Sequence, residues 1–462
     1  MVSREEKKED FLRRSRAAAV GALLLSCLGS GSARGGEAAG PPPSTPPSAT
    51  TSVSASEEAD VLVAEALANN PELAAARQEA AAARARVSPA GALPDPMLSL
   101  AYVNDGTSIS IGTQPMSRLE LVAQQAFPFP GKLGLQERVA RADADRSATG
   151  PERVALALEA DVRRGYATLL QTREDLRLVD EQIEAWREIE EVIRVRYSAG
   201  LGSQQDVLRA QSEKTRLLQQ QRRDEAAEKG ALVDLRQLLY RPVDAPIPTT
   251  RRLVPGEGPA APAEEEFLKK ALEVTPELKE AALAKERFKL AGDLARHNLR
   301  PDFVASASYA NRGSLPLMWS AAVGVSVPLW AGRKQRPLIV EAESQLESAS
   351  AVEASLRRRE LALTEQRLIR IRQLADESRL DSGALLVQDR LAVEAALASY
   401  RTGSVPFVTV LEAMSTNFTD RRGAIARLAD LLRAEADLRE FSLERTAATP
   451  NRPVSPVAAA GM

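Results

Sequence analysis

Histidine and cysteine are nearly missing from this chain: His297 and Cys27 are the only ones in 462 residues. A His/Cys zinc site, a Cys-His dyad or a disulfide framework needs more of them than one subunit holds. Aromatic residues make up 4% of the chain and the formal net charge is -2. Nucleic-acid binding therefore lacks the global basic field on which it depends. Long apolar runs are absent too, since nothing approaches the roughly 20 residues of a membrane-spanning helix. A chain of this composition that crosses a bilayer must do so with strands. The counts point away from an enzyme and imply no cofactor and no metal site.

What is present begins with an export signal. Arg13, Arg14 and Arg16 precede the apolar run from Ala17 to Leu25, the order of a secretory signal peptide, which takes residues 1–26 out of fold reasoning. The run ends Leu24-Leu25-Ser26-Cys27, which resembles a bacterial lipobox and would make Cys27 the acylated first residue of the mature chain. Ordinary cleavage near Ala33 or Ala39 is the alternative. Residues 27–56 then read as a lipid anchor and a Pro/Ser/Thr linker with nothing to bury.

The body is written twice. Ala66 to Leu73 matches Ala271 to Leu278, and Pro94-Asp95 with Tyr102 and Asn104 matches Pro301-Asp302 with Tyr309 and Asn311. Phe127-Pro128-Phe129-Pro130-Gly131-Lys132 faces Val327-Pro328-Leu329-Trp330-Ala331-Gly332-Arg333. Arg196-Tyr197-Ser198-Ala199-Gly200 faces Ser399-Tyr400-Arg401-Thr402-Gly403. Four ordered blocks at a nearly constant offset mean a duplicated unit. The copies span residues 57–240 and 263–445, with 241–262 as a Pro-rich crossover and 446–462 as a disordered tail.

Each copy runs helix, strand, strand, long helix, Gly turn, helix. Residues 57–87 and 263–298 have apolar positions at threes and fours, which predicts one helix each. Met97 to Val103, Ser117 to Phe127, Asp302 to Ala310 and Met318 to Trp330 alternate instead. One strand face carries Leu98, Leu100, Tyr102, Leu119, Leu121, Phe303, Tyr309, Trp319, Val323, Val325 and Val327; the other carries Ser99, Ala101, Glu120, Gln124, Ser306, Ser308, Ser320 and Ser326. This is the apolar-out, polar-in pattern of a membrane barrel around a wet lumen, although periodicity alone does not separate it from a soluble sandwich. Four strands are too few to close a barrel, so the others must come from further subunits. Lys132 to Ala199 and Arg333 to Ala398 predict helices of roughly 100 Å, the first kinked or split at Gly150-Pro151.

The duplicated plan, with Leu93-Pro94-Asp95-Pro96 before a strand, Phe127 to Leu133 after one, and paired Tyr-x-x-Gly tips, resembles the TolC family of outer-membrane efflux proteins over about residues 57 to 445. The Pro-Asp-Pro and Phe-Pro-x-Pro-Gly-Lys blocks look most like its heavy-metal (cation) efflux branch. The resemblance implies an α+β fold with internal duplication: a homotrimer whose four strands per subunit make a twelve-strand outer-membrane barrel, continued by an α-helical tunnel through the periplasm. It implies the passive exit duct of a tripartite pump in the outer membrane of a Gram-negative bacterium. The implied partners are outer-membrane lipid, a periplasmic adaptor and an inner-membrane transporter of the resistance-nodulation-division type.

The resemblance also places candidate residues. Tyr197 to Gly202 and Tyr400 to Ser404 fall at hairpin tips, and Ala199, Gly200, Leu201, Gly403 and Ser404 match the adaptor-docking positions, although the glycines are equally explained by turning alone. Family members often narrow the periplasmic entrance with two acids in the second tip; here the matching positions are Thr409 and Glu412, so only one acid is kept. Asp206 stands at the equivalent place in the first tip, where Ser203-Gln204-Gln205-Asp206 also reads as a capping box. Glu412 has its own plain reading as a solvated helix-face charge. Met97, Met116, Met318 and Met414 lack the spacing of soft-metal ligands. A type I secretion or drug-efflux channel shares the whole plan, and a periplasmic coiled-coil scaffold or adaptor is the alternative outside transport.

Overall fold

A computed structural model describes residues 55–441, apart from 106, 108, 110, 112, 113, 250 and 256–263. The signal, Cys27, most of the linker and the tail lie outside the described residues.

The first copy opens with α1 (Ala55–Asn69), α2 (Pro71–Ala85) and α3 (Val87–Gly91). The sequence reading of one helix over 57–87 is thus corrected. Pro71 lacks the N–H that a continuing helix needs, and it sits at the first position of a new helix whose N-cap, Asn70, accepts a bond from the Leu73 amide at 2.9 Å. β1 (Met97–Val103) and β2 (Arg118–Phe127) follow, then α4 (Lys132–Ser147), α5 (Thr149–Ser198) and α6 (Gln204–Leu239). The long first helix divides at Ala148, which places Gly150 and Pro151 in the opening turn of α5, where a missing N–H leaves no intrahelical bond unmade.

The second copy repeats the order as α7 (Glu264–Val274), α8 (Pro276–His297), β3 (Asp302–Asn311), β4 (Met318–Ser326), α9 (Gln335–Leu380), a π-turn (Asp381–Leu385), α10 (Leu386–Arg401) and α11 (Phe407–Arg439). Three expectations change here. Residues 263–298 break at Thr275-Pro276 as their counterparts do. β4 ends at Ser326 instead of Trp330, because Pro328 cannot donate to a ladder and turns occupy residues 329–334. The second long helix carries a π-turn, and ends at Arg401.

The strands form one antiparallel sheet in the order β1-β2-β3-β4. Its register puts Leu100, Leu121, Tyr309 and Trp319 in one row, and Leu98, Ala123, Ala307 and Ala321 in the next. Side chains directly opposite share a face, so these rows line one side of the sheet. Ser99, Val122, Ser308 and Ser320 make a row on the other side, where the Ser308 and Ser320 hydroxyls are 2.8 Å apart. The apolar side is bare: Leu98 is 70% exposed, Leu100 67%, Trp319 78% and Val323 78%. No soluble sandwich leaves its apolar face uncovered on that scale. Among the described residues, both edges of the sheet, the outer sides of β1 and β4, have no strand beside them.

Away from the sheet, the helices bury their apolar residues in two clusters. The larger includes Tyr166, Leu169, Leu235, Leu239, Leu368, Ile371, Leu428 and Leu438. The second, toward the tips, is built on Val179, Ile183, Trp186, Ile193, Leu217, Tyr400, Phe407, Val410 and Met414. On α6, on the α9 to α10 run and on α11, charged side chains stand between the two. Arg422 of α11 donates to both Asp224 oxygens of α6 at 2.6 and 3.1 Å, with Asp175 of α5 at 3.6 Å. Arg427, one and a half turns on, grips the π-turn residue Asp381 through two bonds of 2.5 and 2.7 Å. The bidentate geometry suits planar guanidinium to carboxylate.

Candidate functional site

Both helical hairpins reverse by the same device. In the first, Gly200 has φ +74°, the Leu201 amide donates to the Arg196 carbonyl at 2.9 Å and the Gly200 amide to that of Tyr197 at 3.0 Å. In the second, Gly403 has φ +78°, the Ser404 amide donates to Ser399 at 2.9 Å and the Gly403 amide to Tyr400 at 3.0 Å. These are two Schellman motifs, and a positive φ at C′ is what selects glycine. Gly202 is chosen for space instead: a β-carbon there would stand 3.2 Å from the Tyr197 backbone nitrogen. Ala199, Gly200, Leu201, Gly403 and Ser404 are all exposed at these turns.

The next helix starts differently in the two copies. Ser203 caps α6, its hydroxyl accepting from the Asp206 amide at 3.3 Å, which realises the capping half of the Ser203 to Asp206 reading. Pro406 takes the same place before α11 and offers no side-chain cap. Thr409 is half-buried one turn into α11, and Glu412 lies exposed on the following turn.

The link between the tips was not visible in the sequence. Arg196, near the end of α5, donates through Nη2 to the Leu201 carbonyl of its own tip at 3.3 Å and through Nη1 to the Arg401 carbonyl of the other at 3.0 Å. Its guanidinium also lies over the Tyr400 ring, 4.8 Å from the centroid. Tyr400 is buried, although its repeat partner Tyr197 is exposed. It packs at 5.7 Å on Phe407, which meets Trp186 edge-on at 6.2 Å. Burial first, and then the Asp206 carboxylate, push the pKa of the Tyr400 hydroxyl up, while Arg196 opposes them. Asp206, Arg196 and Tyr400 thus converge where the hairpins meet.

The other candidates fall apart in space. Met414 is buried in the tip cluster, whereas Met97, Met116 and Met318 are exposed at or beside the strands. The His297 Nδ1 lies 3.0 Å from the Asp293 carbonyl. Among the described residues no three His, Cys, Asp or Glu side chains gather as metal ligands, and no helix is long and apolar enough to cross a membrane.

One chain thus combines a sheet with a bare apolar face, polar on the reverse and open at both edges, with long helices such as Thr149–Ser198 and Gln335–Leu380. Known proteins share parts of this arrangement. Residues 62–239 match the family described as outer membrane efflux protein. No curated protein matches the chain in sequence. Among solved structures, the chain is similar to the outer-membrane channel OprN, at 18% identity and a TM-score of 0.69 over 83% of this chain and 89% of that one. It is likewise similar to CusC, at 16% identity and 0.69 over 83% and 90%. VceC from Vibrio cholerae matches at 17% identity and 0.66 over 83% and 95%. The family match covers less than half of the chain, and what the solved structures show is the architecture: the chain has the TolC-like fold of these outer-membrane channels.

Proposed function

We propose that three copies of this chain form the exit duct of a tripartite efflux system and carry heavy-metal cations. The open sheet is the observation behind the trimer: β1 and β4 present unpaired backbone groups, which lipid cannot satisfy and a closed barrel does. Three sheets of four strands supply the twelve. The adaptor meets the tips at Ala199, Gly200, Leu201, Gly403 and Ser404, and a resistance-nodulation-division transporter drives the assembly from the inner membrane. Asp206, Thr409 and Glu412 surround the periplasmic entrance, where three symmetry-related Glu412 carboxylates favour cations. Support for metal cargo comes from the Pro94-Asp95-Pro96 and Phe127 to Lys132 blocks.

Two measurements test this reading. Light scattering of the detergent-purified chain gives a trimer mass, and a monomer ends the duct hypothesis. A strain without the gene becomes sensitive to copper, silver, zinc, cobalt or nickel salts while drug tolerance is unchanged; sensitivity to drugs alone, or loss of a secreted protein, assigns the duct to drug efflux or type I secretion.

A further inference from the structure

The duplication puts a worked example of a subunit junction inside each chain. Where the strands of the first copy meet those of the second, at the β2 to β3 pairing, Lys132 Nζ lies 2.7 Å from Asp302 Oδ1 and 3.2 Å from the Arg300 carbonyl. The Phe129 amide donates to the same Asp302 oxygen at 2.8 Å. The Phe129 ring stacks on Phe303 at 6.4 Å, with the Arg300 guanidinium 4.9 Å from its centroid. This clamp stands beside the β2 to β3 pairing, in which Phe127 faces Phe303.

The opposite junction, from β4 of the second copy to β1 of the first, has both halves and no closure. Gly332-Arg333 takes the place of Gly131-Lys132, Leu329-Trp330 that of Phe129, and Leu93-Pro94-Asp95-Pro96 that of Arg300-Pro301-Asp302-Phe303. β1 and β4 are opposite edges of the sheet, so these halves do not meet within one chain. They are open to solvent: Leu329 is 80% exposed, Trp330 76% and Leu93 51%, and Asp95 and Arg333 are exposed as well.

We propose that Arg333 of one copy docks on Asp95 of the next as Lys132 docks on Asp302 within the chain, with β4 laid against the neighbouring β1. The proposal rests on the trimer reading and deepens it. Substituting Val327 for Phe127 and Pro96 for Phe303 fixes the register: Val325 faces Leu98, Val323 faces Leu100 and Ala321 faces Tyr102. That register has an independent support. It continues the bare apolar rows of one sheet into those of the next, whereas a slip of one residue turns every apolar side chain of β4 toward the polar face of β1. The charges are complementary, and Trp330 and Leu329 gain an apolar neighbour in Leu93. The second turn is one residue longer than the first, a difference that the length of an arginine side chain absorbs.

The test uses the full chain purified from outer membranes, with wild type first weighed by light scattering. A wild-type monomer refutes the trimer reading, and this junction with it. Given a trimer, Arg333→Asp and Asp95→Arg each raise the fraction dissociated in warm SDS about tenfold or more, since three junctions are broken at once, and the double reversal restores the wild-type value. Trimers indifferent to the single reversals, or unrestored by the double, overturn the ion pair. The register is read without charge changes, in a Cys27→Ala background. Oxidation links Leu100→Cys with Val323→Cys into a covalent trimer, and Leu98→Cys with Val323→Cys remains unlinked. The reverse pattern overturns the assigned register even where the trimer is intact.

Discussion

Arg196 ties the two hairpin tips together: its guanidinium bonds the Arg401 carbonyl at 3.0 Å while lying over the Tyr400 ring. The carbonyl acceptors are neutral, so its charge is met by the face of the Tyr400 ring. Arg196→Ala should free the second tip, speeding amide exchange at residues 399 to 404 and raising the single-channel conductance of purified trimers severalfold in planar bilayers. Arg196→Lys, which has no planar fork, should fall nearer to alanine than to wild type. Unchanged exchange and conductance in both variants would mean that the tips are held by their apolar cluster alone.

Gly403→Glu should block efflux, with outer-membrane trimers at normal abundance and adaptor crosslinking lost. Any side chain at φ +78° strains the turn by about 1 kcal/mol, so Gly403→Asn serves as the control, because asparagine tolerates that backbone. A β-carbon there meets the Arg196 Nη2 only at an ordinary 3.5 Å, so space does not exclude it. Normal efflux and crosslinking in Gly403→Glu would remove the second tip from adaptor docking.

Conductance in planar bilayers also separates the two acids proposed for the entrance. Glu412→Gln should lower cation preference and relieve block by divalent ions, because Glu412 is exposed and Thr409 supplies no second charge. Asp206→Asn should do less, since Asp206 stands beside the Ser203 cap and Tyr400. Loss of selectivity in Asp206→Asn alone would move the ring to the first tip.

Most of the fold was legible from periodicity and duplication. Met97–Val103 was placed to the residue, because a strand bounded by Pro96 on one side has few ways to shift. The breaks at Pro71 and Pro276 were missed although both prolines stood in the repeat, since apolar spacing continues across them. The π-turn left no trace for a different reason: one extra residue alters helical phase without altering composition. The tips were located by their glycines. Their clasp was not, because Arg196 and Arg401 are 205 residues apart in sequence and the contact goes to a carbonyl that no side-chain pattern encodes.

On α5, between Leu170 and Leu178 of the larger cluster, Asp175 gives the protein a pH dependence. Burial, its largest influence, raises the Asp175 pKa to about 6; Arg422 opposes, the Asp224 charge adds to the rise, and Gln171 and Arg433 oppose weakly. A carboxyl with a folded pKa above its unfolded value binds more protons when folded, so stability is greatest below about pH 4 for this group and falls as pH rises to about 6. The two-unit difference corresponds to about 3 kcal/mol. Asp175→Asn should therefore flatten the melting temperature between pH 4.5 and 7. An equal slope in wild type and variant would assign the dependence elsewhere.

Mass spectrometry of the mature chain decides the anchor. Residue 27 at the N-terminus carrying acyl chains is the expected result, and Cys27→Ala should lose them while keeping trimers, because the strands supply the larger hold on the membrane. An unmodified chain starting near residue 34 or 40 would eliminate lipidation.

The ion pairs Arg422 to Asp224 and Arg427 to Asp381 do more than fasten helices, because Asp224 and Asp381 stand where one apolar cluster gives way to the other, with half-buried Phe418 packed against both. A core built as two clusters that share Phe418 does not need to melt as one piece. The block around Trp186 and Phe407 can loosen at the expense of its own contacts while the block around Leu235 and Leu428 stays closed, so one set of continuous helices carries two grades of local stability. In the proposed duct, the membrane end and the mouth are thereby free to answer to different forces, the first to lipid and the second to whatever seizes the tips.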